Sequence, residues 1–212
     1  MTLRRIIPAI FALVAPAMAA AHPHIFVDTG LRLATDEGGR LSGVEVAWEY
    51  DELYSLLVLE DMELDDDYDG KLKPEEMARL DGFDQHWVEG YAGDLYLSGE
   101  GGTVRLGPPE NRGTSFENGR ITTRHFRAIE GAGTGPWEIR AYDPTFYTAY
   151  DLTRGIATPA GCEARVVAAD LDAAQLALQA ELAKIPADAE SDYPEVGEIF
   201  ADRLVVTCRA GS

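Results

Sequence analysis

Basic residues are scarce in this chain. Eighteen Lys and Arg stand against 37 Asp and Glu among 212 residues, a formal charge of −19. So little positive charge argues against nucleic acid or an anionic membrane as partner. Cysteine is scarce too: only Cys162 and Cys208 occur, in no Cys-x-x-Cys pair and in no cluster with histidine, so a zinc finger is excluded. Histidine is limited to His22, His24, His86 and His125. There is no G-x-S-x-G and no H-E-x-x-H, so neither nucleophile–base signature is present. No catalytic residue is assigned, and the chain is read as a binding protein rather than an enzyme. Internal repeats and clear linkers are also lacking.

No apolar run is long enough to cross a bilayer. The nearest, "IIPAIFALVAPAM", follows Arg4 and Arg5 and precedes "AAA". This is the three-part pattern of a secretory signal over residues 1–21, with Ala19 and Ala21 at the positions a signal peptidase reads. Cleavage after Ala21 makes His22 the first mature residue; cleavage after Ala19 is the alternative. Removing residues 1–21 takes out two arginines and no acids, leaving 16 basic against 37 acidic residues, a charge of −21. Residues 22–212 are then one exported domain, and the periplasm is the implied compartment. In an oxidising compartment two cysteines pair by default. "CEARVVAAD" and "DRLVVTC" both have strand character, so a Cys162–Cys208 disulfide joining neighbouring strands near the C-terminus is expected, with two free thiols or a thiolate metal site as the alternative.

Alternating apolar residues predict a strand from Ile25 to Leu33 and a second one in "LSGVEVAWEY", with the turn "DEGGR" between them. "DELYSLLVLEDMEL" has helical spacing and enough apolar residues to predict a well-buried helix. Pro74 suits the first turn of a second helix, which runs on through "PEEMARLDGFDQHWVEGYA" with a possible kink at Gly82. After Gly93 short strands return, with Asn118-Gly119 as a hairpin tip. "AADLDAAQLALQAELAKI" predicts a helix ended by Pro186. The expected class is α+β: a mostly antiparallel sheet, an EF-hand-like helix–loop–helix inserted at 51–90, and a C-terminal helix.

The richest local signal is "LDDDYDGKLKPEEM", Leu64 to Met77. A calcium loop draws oxygens from positions 1, 3, 5, 7 and 12, with glycine at 6. Counting from Asp65 puts Asp67 at 3, Asp69 at 5, Gly70 at 6, Lys71 at 7 and Glu76 at 12. Position 7 needs only a backbone carbonyl. Leu72 takes the apolar eighth position. Alternate carboxylates converge only if the chain curls tightly, and Gly70 permits that turn. The competing reading is a solvated acidic connector. With only one such loop, calcium would be a structural clip.

"HPH" offers imidazoles at His22 and His24, and His22 would add its α-amine. Imidazole suits zinc, nickel and copper. Pro23 removes the amide that a square amino-terminal copper site needs, which favours an open site completed by other residues. A frayed terminus is the plain alternative. "YDPTFYTAYD" reads as a turn at Asp143-Pro144 with core aromatics.

Four segments together, "HPHIFVD", "VAWEYDELYSLLVLEDMELDDDYDGKLKPEEM", "LGPP" at Leu106–Pro109 and "IRAYDPTFYTAYDL", give a resemblance to the ZevA-like periplasmic proteins. It spans most of residues 22–152. Members accompany, or are fused to, NicO-type nickel/cobalt permeases, with zinc import proposed for some. The resemblance implies a periplasmic metal-binding accessory of a zinc, nickel or cobalt transport system, with a membrane permease as partner. It carries no established ligands; His22 and His24 rest on position and chemistry. The alternatives are a structural or interaction protein that binds calcium only, and a copper-dependent enzyme with an amino-terminal histidine.

Overall fold

The computed structural model describes residues 23–131, 135–185 and 194–209. The signal segment and His22 lie outside the described residues. The first two strands, β1 (Ile25–Thr35) and β2 (Leu41–Tyr50), form the expected antiparallel hairpin. Alternation makes them: Val27, Thr29, Leu31 and Leu33 of β1 face Val44, Val46, Trp48 and Tyr50 of β2 in one buried layer. Burying a side chain such as Val46 contributes roughly 1.5–3 kcal/mol.

The helix that follows, α1 (Glu52–Asp61), begins where Asp51 accepts from Tyr54 N at 2.9 Å. The second Asp51 oxygen accepts from Phe26 N at 2.8 Å, which ties the cap to β1. This helix is not well buried. Leu53, Leu56 and Leu57 are exposed, and the buried face is Ser55, Val58 and Leu59. Ser55 Oγ accepts from Ile121 N at 3.0 Å, so a polar anchor docks the helix.

The second helix, α2, spans only Pro74–Leu80. Gly82, with φ 69, turns the chain out of the helix, and a short 3-10 turn at Phe83–Gln85 follows. The long helix expected from Pro74 onward therefore does not form. The remaining strands are β3 (Leu95–Gly99), β4 (Gly102–Leu106), β5 (Glu110–Glu117), β6 (Arg120–Glu130), β7 (Trp137–Ala141), β8 (Thr148–Asp151), β9 (Ile156–Ala157), β10 (Cys162–Val167) and β11 (Arg203–Cys208). Asn118 and Gly119, with φ 54 and 76, make the tight β5–β6 turn.

The expected α+β class is overturned. Among the described residues the protein is mostly β, 41 % strand and 20 % helix, with a sheet curled into a half-barrel and four short helices. Nine strands run in the order β10-β11-β7-β3-β4-β6-β2-β1-β8, with β5 beside β6 and β9 beside β1. No helix–loop–helix domain stands apart from it, because α2 is too short to form one. Nor is a helix the last described element: α3 (Leu171–Leu182) is followed by α4 (Gly197–Phe200) and then β11, which pairs inside the sheet. The last strand returns because Leu204 and Val206 are fully buried.

Cys162 and Cys208 are directly opposed across β10 and β11 and form a disulfide, as the two-cysteine count predicts. No described helix is long and apolar enough to cross a membrane.

Candidate metal centre

The acidic loop hangs between α1 and α2, clamped at both ends. The Arg79 guanidinium donates to the carbonyls of Met62 and Glu63, fastening α2 to the end of α1. Leu64 and Leu80 are buried beneath the junction. Between these clamps the backbone enters the left-handed region at Glu63, Asp65, Tyr68 and Gly70. Three of these are not glycine, and each such residue costs on the order of 1 kcal/mol, so local bonds must hold the shape.

Those bonds come from the acids themselves. Asp65 accepts from Asp69 N and from Gly70 N, both at 3.1 Å, and Asp69 accepts from Lys71 N at 2.8 Å. Glu76 is buried, and its carboxylate joins the two loop ends by accepting from Asp65 N at 3.2 Å and Lys73 N at 2.7 Å. One ligand oxygen each from Asp65, Asp67 and Asp69 falls within 4.8 Å of the others. The Glu76 carboxylate is not part of that group; it braces the loop from behind. Lys71 places its ammonium 4.0 Å from Asp69, exposed.

The donors are hard oxygens, which suits calcium rather than a soft metal. One neighbour opposes it. Lys73, at the ninth loop position, sets its ammonium 3.6 Å from Asp67 and 3.9 Å from Glu76. The Asp67 carboxylate, and after it Glu76, holds the Lys73 pKa above its ordinary value.

The histidines are scattered. His24 is exposed; its backbone N–H donates to Tyr147 O at 2.8 Å, and its ring lies 4.9 Å from the Tyr147 ring. His86 is exposed at the end of the 3-10 turn, beside Arg79 and Phe83. His125 is fully buried on β6, its ring edge-on to Trp48 at 4.9 Å. Burial, with Arg127 nearby, lowers its pKa to about 4, so the ring is neutral at pH 7. Among the described residues, the three loop aspartates are the one set of three or more His, Cys, Asp or Glu side chains gathered this closely.

The other quoted segments have structural work. Asp28 of "HPHIFVD" pairs with Arg120 at 2.7 Å and accepts from the Thr153 hydroxyl at 2.6 Å. Asp143 accepts from Thr145 N at 2.8 Å and Thr148 N at 3.1 Å, which shapes the turn into β8. Tyr142 stacks on Tyr96 at 4.0 Å, and Phe146 on Phe200 at 4.1 Å.

Sequence reading missed Asp84. It sits on the 3-10 turn and accepts from the hydroxyls of Thr123 at 2.6 Å and Tyr50 at 2.8 Å. Burial raises its pKa against the pull of those two donors. No spacing rule connects Tyr50, Asp84 and Thr123; only the sheet register and the turn bring them together.

No curated protein matches this chain significantly. A family model described as "Protein of unknown function (DUF1007)" matches residues 7–208, nearly the whole sequence, and the chain belongs to that family.

Proposed function

We propose that this protein is an exported, non-enzymatic metal-binding accessory of a transition-metal transport system in the periplasm, with a calcium ion clipping its acidic loop. One observation carries the calcium part: the Asp65, Asp67 and Asp69 oxygens converge within 4.8 Å while Glu76 closes the loop behind them. Asp65, Asp67, Asp69, the Lys71 carbonyl and Glu76 are the proposed oxygen donors. The ion would neutralise carboxylates that otherwise repel one another. An isolated loop of this kind suits a Kd on the order of 0.1 to 1 mM, as in extracellular modules.

The transport part rests on the resemblance to ZevA-like proteins and on donor chemistry. His22 and His24 supply imidazole, which prefers zinc, nickel, cobalt or copper over calcium. The proposed partner is a NicO-type permease that exchanges the metal with this end. The contact of His24 with Tyr147 favours a second reading, in which His24 is structural and calcium is the only metal.

Titrating zinc, nickel and copper into the mature protein and a His22→Ala/His24→Ala variant separates the readings. The transport reading expects the double variant to lose transition-metal binding while its calcium response persists. Equal binding by the two proteins moves the site elsewhere, and binding by neither leaves calcium alone.

A further inference from the structure

Away from the acidic loop, the 3-10 turn and the segment after it close over β1, β2 and β8. They leave a cavity of about 230 Å³. At ~30 Å³ per water volume this is room for about seven non-hydrogen atoms. Its walls are aromatic: Trp48, Tyr50, Tyr54, Phe83, Trp87 and Tyr150. Tyr91 also lines it and is 44 % exposed, so the cavity reaches solvent. Asp84 is its one charged lining residue.

The two Asp84 oxygens are treated differently. Oδ2 accepts from both Tyr50 and Thr123, whereas Oδ1 is buried with no hydrogen-bond partner among the described residues. Gln85 Nε2 is likewise buried, with no hydrogen-bond partner among the described residues. Arg127 lies over the Trp87 ring at 4.6 Å, and its guanidinium donates to the carbonyls of Gly107 and Ala92. Trp48 Nε1 is another buried polar atom without a partner among the described residues.

We infer that this cavity binds a small organic ammonium ion. Aromatic faces carry the negative side of the ring quadrupole and attract cations, most strongly when water is excluded. The Asp84 carboxylate is the one acidic group on the cavity wall. Oδ1 and Trp48 Nε1 are both closed to solvent, so a bound cation would be drawn by the field of the Asp84 carboxylate rather than bonded to it. An anion would be repelled by Asp84 and the ring faces. A neutral molecule would gain nothing from the Asp84 carboxylate or from the ring quadrupoles. A metal ion would want several ligating side chains, and among the described residues only the acidic loop gathers three.

Choline tests this, because it is a small organic ammonium ion, and 3,3-dimethylbutan-1-ol is its uncharged isostere. Binding is followed by fluorescence of the wall tryptophans at constant ionic strength, with calcium present and again with EDTA. The expected result is saturable binding of choline, at least ten-fold tighter than the neutral isostere and unchanged by EDTA. Asp84→Asn keeps an acceptor for Tyr50 and Thr123 and should weaken choline at least ten-fold. Equal binding of choline and its isostere overturns the inference, as does no saturation by choline at 100 mM. So does choline binding by a folded Asp84→Asn protein at wild-type strength. Should that variant fail to fold, the two ligands on the wild-type protein still decide the matter.

Discussion

In the acidic loop, every carboxylate comes from residues 65 to 76, and backbone bonds among neighbours set the shape. In the aromatic cavity, the walls come from residues as distant as Ile25 and Tyr150. The loop is mostly exposed, with Asp65 and Glu76 buried at its base, and water and salt screen its outer charges. The cavity is lined mainly by half-buried residues, and its one carboxylate is held by two hydroxyls donated from β2 and β6. A loop of the first kind forms from local sequence once its ends are clamped. A site of the second kind exists only when the whole sheet is in register. The two should therefore fail under different perturbations.

The sharpest separation comes from the disulfide, which lies at the opposite end of the sheet order from β1 and β8. Cross-linking residues 46 apart restricts the unfolded chain by about 4 kcal/mol in the chain-entropy account. Cys162→Ala/Cys208→Ala should lose up to that much in urea denaturation. The calcium response should persist under native conditions. If choline binding goes first as the variant is warmed, the cavity depends on global register and the loop does not.

Next in size is a pH effect centred on His125. Its ring titrates at 6.5 in the unfolded chain and at about 4 when buried. Above 6.5 it is neutral in both states and costs nothing. Below that, the unfolded chain binds the proton first, so stability falls as pH drops from about 6.5 to about 4. The full difference is about 3 kcal/mol. Asp84 and Asp94, whose pKa values burial raises, act in the opposite direction over their own range. His125→Leu isolates the histidine: stability against pH should flatten between 6.5 and 4 relative to wild type. An unchanged slope would mean that the ring is not the titrating group.

Calcium comes third. At a hundred times Kd, a ligand that binds only the folded state adds about 2.7 kcal/mol. Millimolar calcium should raise the melting temperature. Glu76→Gln should remove most of that rise while keeping one oxygen to accept from the loop backbone. A wild-type melting temperature indifferent to calcium would leave the loop a solvated connector.

These contrasts follow what was legible in the sequence. The β1–β2 hairpin, the Asn118-Gly119 turn and the Cys162–Cys208 pair were readable because each depends on alternation, turn chemistry or a count. The convergence of Asp65, Asp67 and Asp69 followed from their alternate spacing. What failed was extent and burial. Pro74 starts a helix, but Gly82 in a left-handed conformation ends it within a few residues rather than kinking it. Leucine spacing in α1 suggested deep burial, whereas the sheet accepts the Ser55 face, because Ser55 satisfies a buried Ile121 amide there. Asp84 left no sequence signal, because its partners Tyr50 and Thr123 come from two different strands.

The smallest effect tests how far the loop charges govern it. Lys73 stands at the ninth loop position with its ammonium 3.6 Å from Asp67, so it neutralises part of the charge that would attract calcium. The pair is about half exposed, and such pairs are weak. Removing the ammonium should therefore shift affinity only modestly. Lys73→Thr keeps a residue suited to starting α2 and leaves Pro74 and the Glu76 brace in place. Calcium should bind about two- to five-fold more tightly to this variant, most clearly at low ionic strength. The gain should shrink as salt is raised, because screening removes the penalty that Lys73 imposes. A variant that binds more weakly at every salt concentration would mean that Lys73 holds the loop in shape rather than competing with the ion, and local charge would not set the loop's affinity.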